Sequence, residues 1–219
     1  MSIRNGNGFY MQKIKNIILD LGGVLLNLNF KKTEEAFRAL GIEDFNTHFS
    51  QFQASPLFED LEVGRVSPLE FFEHFRRETG LALTDEAIIE SWNAMLLDFP
   101  PERLQWLEDL GKKYRVFLYS NTNSIHYDSF HEAFERSFPG KNLNNYFEKA
   151  YYSHILGKRK PFADSFRIIL EDAGLLAEET VFIDDTIGNI EGAREAGINA
   201  IHLVPGKTVL DIKESDLAF

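Results

Sequence analysis

The sequence predicts an α/β fold: a doubly wound parallel sheet with an inserted all-helical segment. Two observations predict it. Short apolar runs that stop abruptly at polar or acidic residues recur along the chain with helical patterns between them, and one long stretch, Phe30 to Pro100, has helical patterns but no convincing buried strand. Taken in order, residues 1–10 are mostly polar, include glycines, and are expected to form a flexible leader. Ile17-Ile18-Leu19, within Asn16 to Leu19, reads as a buried strand that delivers Asp20 to a glycine turn at Gly22-Gly23. In the helical stretch, Ser67-Pro68-Leu69-Glu70 is a capping box with proline at the first helical position, and Thr84 followed by Asp85 and Glu86 caps another helix. Pro100-Pro101 marks the return to the sheet. Arg115 to Tyr119 reads as a strand ending in Ser120-Asn121, and Thr180 to Ile183 as one ending in Asp184-Asp185. Ala200 to Val204 is expected to be the last strand before a C-terminal tail. Helices are expected over Pro161 to Ala173 and Ile187 to Ala196, the latter stopped by Gly197. The expected organisation is a core domain of residues 11–29 and 101–219 and a helical domain of residues 30–100.

Composition limits the function. The 219 residues are 44% hydrophobic and 26% charged, close to the globular average. With 23 basic against 34 acidic side chains, the formal net charge is -11. Such a chain lacks the electrostatic footprint of a nucleic-acid or anionic-membrane binder, so an anionic ligand must be held by a local basic group or a metal. The sequence contains no cysteine, which excludes disulfides, thiolate zinc sites and a cysteine nucleophile. No apolar run approaches the roughly 18 residues that span a bilayer, and the expected location is the cytoplasm.

Ligands of open α/β sheets bind outside the carboxyl ends of the strands, near the point where strand order reverses. Asp20, Ser120 and Asp184-Asp185 stand at such ends and are expected to converge. Lys160, in the basic cluster Lys158-Arg159-Lys160 before a helix start, joins them. Singly, each of these residues also reads as a turn, a cap or a solvated lysine. Acids gathered at one edge repel one another, and a hard divalent cation with oxygen ligands relieves that repulsion.

In this order, and with the helical insert between the first two motifs, Asp20-Leu21-Gly22-Gly23-Val24, Ser120-Asn121, Lys160-Pro161 and Asp184-Asp185 with Asn189 resemble the haloacid dehalogenase-like superfamily of hydrolases. The resemblance runs from about Lys15 to Val204 and is strongest to a branch that includes sugar-phosphate phosphatases. It implies a Rossmann-like core with a helical cap, and a Mg²⁺-dependent phosphatase that acts on a small phosphorylated metabolite, such as a sugar phosphate. Asp20 would be the nucleophile that forms an aspartyl phosphate. The Asp20 side chain, the Gly22 carbonyl and Asp185, supported by Asp184, would hold Mg²⁺. Ser120, the Asn121 backbone and Lys160 would hold the phosphoryl oxygens, and Asn189 would orient an acid.

One position departs from the family pattern. Its phosphatases usually place a second aspartate, the general acid and base, two residues after the nucleophile, and here that residue is Gly22. Esters with leaving groups of low pKa, such as sugar 1-phosphates, acyl phosphates and aryl phosphates, are then expected to outperform simple alkyl phosphates. A metal-independent haloacid dehalogenase, a phosphomutase and a catalytically impaired binding protein are the alternatives. Substrate choice is expected to lie in the cap, with Phe49, Phe52, Phe58, Glu62, Arg65 and Trp92 as candidates. Replacing Lys160 by methionine is expected to cost rate but little stability.

Overall fold

In the computed structural model the described residues are 3–4, 10–11, 14–42, 56–217 and 219. Phe49 and Phe52 lie outside them. Five strands form one parallel sheet: β1 (Asn16–Leu19), β2 (Arg115–Ser120), β3 (Lys149–Tyr152), β4 (Thr180–Asp184) and β5 (Asn199–His202), in the spatial order β3-β2-β1-β4-β5. Two two-residue strands, Ile3–Arg4 and Tyr10–Met11, pair antiparallel apart from it.

Strand β1 is buried along its whole length, as expected of a central parallel strand covered on both faces. Period-two alternation sorts its neighbourhood. Ile18, Phe117 and Phe182 point to one face and pack with Phe166, Ile169, Ile190 and Ala193. Ile17, Leu19, Leu118 and Ile183 point to the other and pack with Leu104, Leu107, Phe130 and Phe134. The first face is covered by α8 (Ala163–Ala173) and α9 (Ile187–Glu195), the second by α5 (Pro101–Gly111) and α6 (Ser124–Ser137), and the one-turn α7 (Ser153–Leu156) follows β3. The result is the expected doubly wound arrangement, with strand order reversing beside β1.

Register levels the strand ends. Leu19 lies opposite Leu118 on one side and Ile183 on the other, so Asp20, Ser120 and Asp184 emerge along one edge of the sheet.

Between β1 and α5 run α1 (Phe30–Ala39), α2 (Pro56–Glu62), α3 (Pro68–Thr79) and α4 (Asp85–Asn93). The Ser67–Glu70 capping box and the Thr84 cap are both formed. Phe37, Phe58, Phe71, Phe75, Ile88 and Trp92 bury one another in an apolar cluster shared by these helices. The chain leaves and rejoins the sheet through two segments bonded to each other. Asn27 N donates to Asp98 O at 2.9 Å, Leu97 N to Asn27 O at 3.0 Å and Asn29 N to Met95 O at 2.9 Å.

Two sequence expectations change. Strand β3 was not anticipated: Lys-Ala-Tyr-Tyr lies at the sheet edge, with Lys149 exposed and only the tyrosines buried, so no continuous apolar run betrays it. The segment after β5 is more than a tail, since Val209 and Leu217 are buried against the face that α5 covers.

Candidate active site

Parallel register carries Asp20 to the edge of the sheet, and its backbone N–H donates to Ile183 O at 3.0 Å. The residue is 8% exposed. The Lys160 ammonium donates to Asp20 Oδ1 and to Asp184 Oδ2, each at 2.7 Å, and neither Lys160 nor Asp184 reaches solvent appreciably. The lysine passes over two rings, with Nζ 5.4 Å from the Tyr119 centroid and 5.3 Å from that of Phe182.

The backbone at Lys160 is clamped twice by one side chain. Asn121 Oδ1 accepts from Lys160 N at 2.9 Å, and Asn121 Nδ2 donates to Lys160 O at 3.0 Å. The next residue, Pro161, leaves no room for a side chain at position 192: a Cβ there would stand 1.7 Å from Pro161 O. Helix α9 and the loop after β2 thus hold the lysine between them.

Asp184 is saturated. Besides Lys160, it accepts from Thr186 N at 2.7 Å and from Asn189 Nδ2 at 3.1 and 3.0 Å on its two oxygens. Asp185 is exposed, and its carboxylate lies against Gly23, where φ is +74° and a Cβ would come within 2.1 Å of Oδ2. Oxygens of Asp20, Asp184 and Asp185 all lie within 4.8 Å of one another. Three carboxylates therefore face one ammonium. Burial pushes the Asp20 carboxyl up to about 7, against the pull of Lys160. Burial, and then the neighbouring Asp184, raise Asp185. A compact set of oxygen donors with excess negative charge, one of them seated on a glycine, suits a small hard dication.

Above these groups lies a cavity of about 840 Å³ between the sheet edge and the helical insert. It takes in Asp20, Gly22, Ser120, Asn121, Lys160 and Asp185 below, and Phe58, Glu62 and Trp92 from the insert. Asn189 also borders it. Of the expected specificity residues, Arg65 is not among those lining the cavity and pairs with Asp60 at 2.8 Å in solvent. Glu62 pairs across the cavity edge with Arg159 at 3.0 Å; burial raises its carboxyl and Arg159 opposes the shift.

Two features were not anticipated. The Asn121 side chain, rather than its backbone alone, takes part in the site. His126, in the first turn of α6, lines the cavity and stacks on Trp92 with the ring planes 2° apart. A histidine just beyond a strand-end motif, where the following helix opens, was the available signal.

Residues 14–197 match the family model described as haloacid dehalogenase-like hydrolase. A D-ribitol-5-phosphate phosphatase of Bacteroides thetaiotaomicron is 34% identical over 184 residues, covering 84% of this chain and 89% of its own. A sesquiterpene phosphatase of Aspergillus oryzae is 26% identical over 190 residues, covering 86% and 89%. A haloacid dehalogenase family enzyme of Bacteroides thetaiotaomicron, solved as the wild-type protein with magnesium and inorganic phosphate, superposes with a TM-score of 0.81 at 36% identity, covering 89% of this chain and 96% of its own.

Proposed function

Because this chain belongs to the haloacid dehalogenase-like hydrolases, we infer that it is a phosphoric monoester hydrolase acting on a small phosphorylated metabolite, with sugar or sugar-alcohol phosphates as the substrate class. The observation that most supports this reading is the buried Asp20–Lys160–Asp184 chain, closed at 2.7 Å on both sides, with Asp185 beside it beneath a cavity. Residues 30–100 form the cap in this reading and residues 11–29 and 101–219 the core.

An Asp20 oxygen attacks phosphorus, and the bond to the ester oxygen breaks, releasing an alkoxide that takes a proton from water and leaving an aspartyl phosphate. Water then attacks phosphorus and gives up a proton to the solvent, the bond to Asp20 breaks, and inorganic phosphate leaves with the carboxylate restored. Lys160 orients Asp20 and places positive charge where the phosphoryl oxygens crowd. Ser120 and the Asn121 backbone take further phosphoryl oxygens. Asn189 and Thr186 N keep Asp184 from turning into the cavity. Asp20, the Gly22 carbonyl and Asp185, supported by Asp184, would hold Mg²⁺, which when bound neutralises phosphoryl charge and polarises the group for attack.

The relative's named substrate, D-ribitol 5-phosphate, is a primary alkyl ester. Gly22 favours the opposite preference, for esters whose leaving groups need no proton. A panel of alkyl, aryl and sugar 1-phosphates assayed with Mg²⁺ decides between them. Turnover should vanish in excess chelator and fall by at least about four orders of magnitude in Asp20→Asn, which keeps the side-chain shape. A fully active Asp20→Asn protein would sink the nucleophile assignment.

A further inference from the structure

Among the polar groups of the cavity that the phosphoryl chemistry does not use, alongside Glu62 and Arg159, is His126. His126 Nδ1 lies 2.7 Å from Asn93 Oδ1. The amide is held in that sense because Asn93 Nδ2 faces Ile125 O, in a long contact at 3.5 Å. Turned over, it would set Oδ1 against that carbonyl oxygen, two acceptors with no proton between them. Nδ1 therefore carries the hydrogen and donates it, and Nε2 holds a lone pair. Nε2 has no hydrogen-bond partner among the described residues and is not among the sealed interior atoms, while the ring borders the cavity. Burial holds the imidazole down to about 3, so the ring stays neutral and Nε2 remains an acceptor through the physiological range.

The ring cannot turn to escape this role. Trp92 lies parallel to it, with centroids 5.6 Å apart, and Asn93 follows in the same helix, so both restraints come from the end of α4. The lining of the cavity is mixed, and its apolar part includes Leu28, Phe58, Met95 and Leu96 besides Trp92, which lies against the ring. An apolar ligand laid against Nε2 would strip water from an unpaired acceptor without supplying a donor in its place, which is unfavourable.

We infer that His126 is a specificity-determining residue, whose Nε2 accepts a hydrogen bond from a hydroxyl on the carbon chain of the phosphate ester and so selects hydroxylated esters over bare alkyl ones. This deepens the phosphatase reading and rests on it. A site built to meet a hydroxyl discriminates strongly against the ester that lacks it, since its own polar atom is then left unpaired.

The test compares D-ribitol 5-phosphate with n-pentyl phosphate, two primary alkyl esters of equal chain length that differ in their hydroxyls. The wild-type protein should favour the ribitol ester at least tenfold in kcat/KM, carried by KM. His126→Phe, which keeps a ring against Trp92, should lower that ratio about tenfold, and His126→Gln, which restores an acceptor, should recover part of it. A ratio that is the same in wild type and His126→Phe overturns the inference, as does an equal loss on both esters. Binding of the same two esters to the Asp20→Asn protein with Mg²⁺ needs no turnover and is read alongside. Preference for the ribitol ester in binding, lost in His126→Phe, upholds the role of His126 even if the phosphatase reading fails; no preference in binding overturns it.

Discussion

Lys160 shows how burial changes what a single side chain does. On the sequence it is a lysine in a basic cluster, whose loss would affect rate alone. In the structure its ammonium is enclosed, 1% exposed, between two carboxylates. The two acids and the rings of Tyr119 and Phe182 compensate the charge, and removing it leaves the acids facing each other in the interior. Breaking a buried pair in this way costs about 3–5 kcal/mol. Lys160→Met should therefore lower the urea midpoint clearly as well as abolish turnover, and an unshifted midpoint would contradict the geometry. Gly22 allows a more constructive change. It has no positive φ, and an added Cβ meets only the tip of Leu28, at 2.7 Å, which can swing away. Gly22→Asp should then raise kcat by about 10²-fold on alkyl phosphates and much less on aryl phosphates. A plot of log kcat against leaving-group pKa tests this, and a flat wild-type line would mean that another cavity group already donates the proton.

At the scale of elements, the site depends on how α9 packs on the loop before α8. Gly192 is the close point, and a methyl group there would collide with the Pro161 carbonyl, which is backbone and cannot step aside. Gly192→Ala should lose roughly 1–3 kcal/mol from overpacking and displace Lys160. Gly188→Ala, one turn earlier in the same helix with open space around it, should gain up to about 1 kcal/mol from helix propensity. Thermal melts of the pair separate the contact from the generic effect of the substitution. This contrast also marks the limit of what the chain discloses unaided. Asp20, Ser120 and the Asp184-Asp185 pair could be located because each ends a continuous apolar run, and the caps at Ser67 and Thr84 because their signals are local. Strand β3 escaped because an edge strand need not be apolar throughout. The Asn121 clamp, the enclosure of Lys160 and the fixed tautomer of His126 escaped because each depends on a partner tens of residues away, which no local pattern encodes.

For the molecule as a whole, the acidic edge couples ion binding to folding. The acids converge only when β1 and β4 are paired, so the unfolded chain has no equivalent site and Mg²⁺ should stabilise the native state by mass action. At a hundredfold excess over Kd the gain is about 2.7 kcal/mol, a rise of several degrees in Tm. Asp185→Asn should shrink that rise, and a Tm indifferent to millimolar Mg²⁺ would count against the ligand set. The paired segments at residues 27–29 and 95–98 have a different kind of consequence. Because the two ends of the excursion are tied to each other, the distance the insert must bridge is fixed at the stem whatever lies between. Residues can be added or lost in the helices without tugging on the Asp20 turn, and the position works as a graft point. In the proposed phosphatase, substrate range would then drift there through changes of length and sequence, while the chemistry below keeps its register.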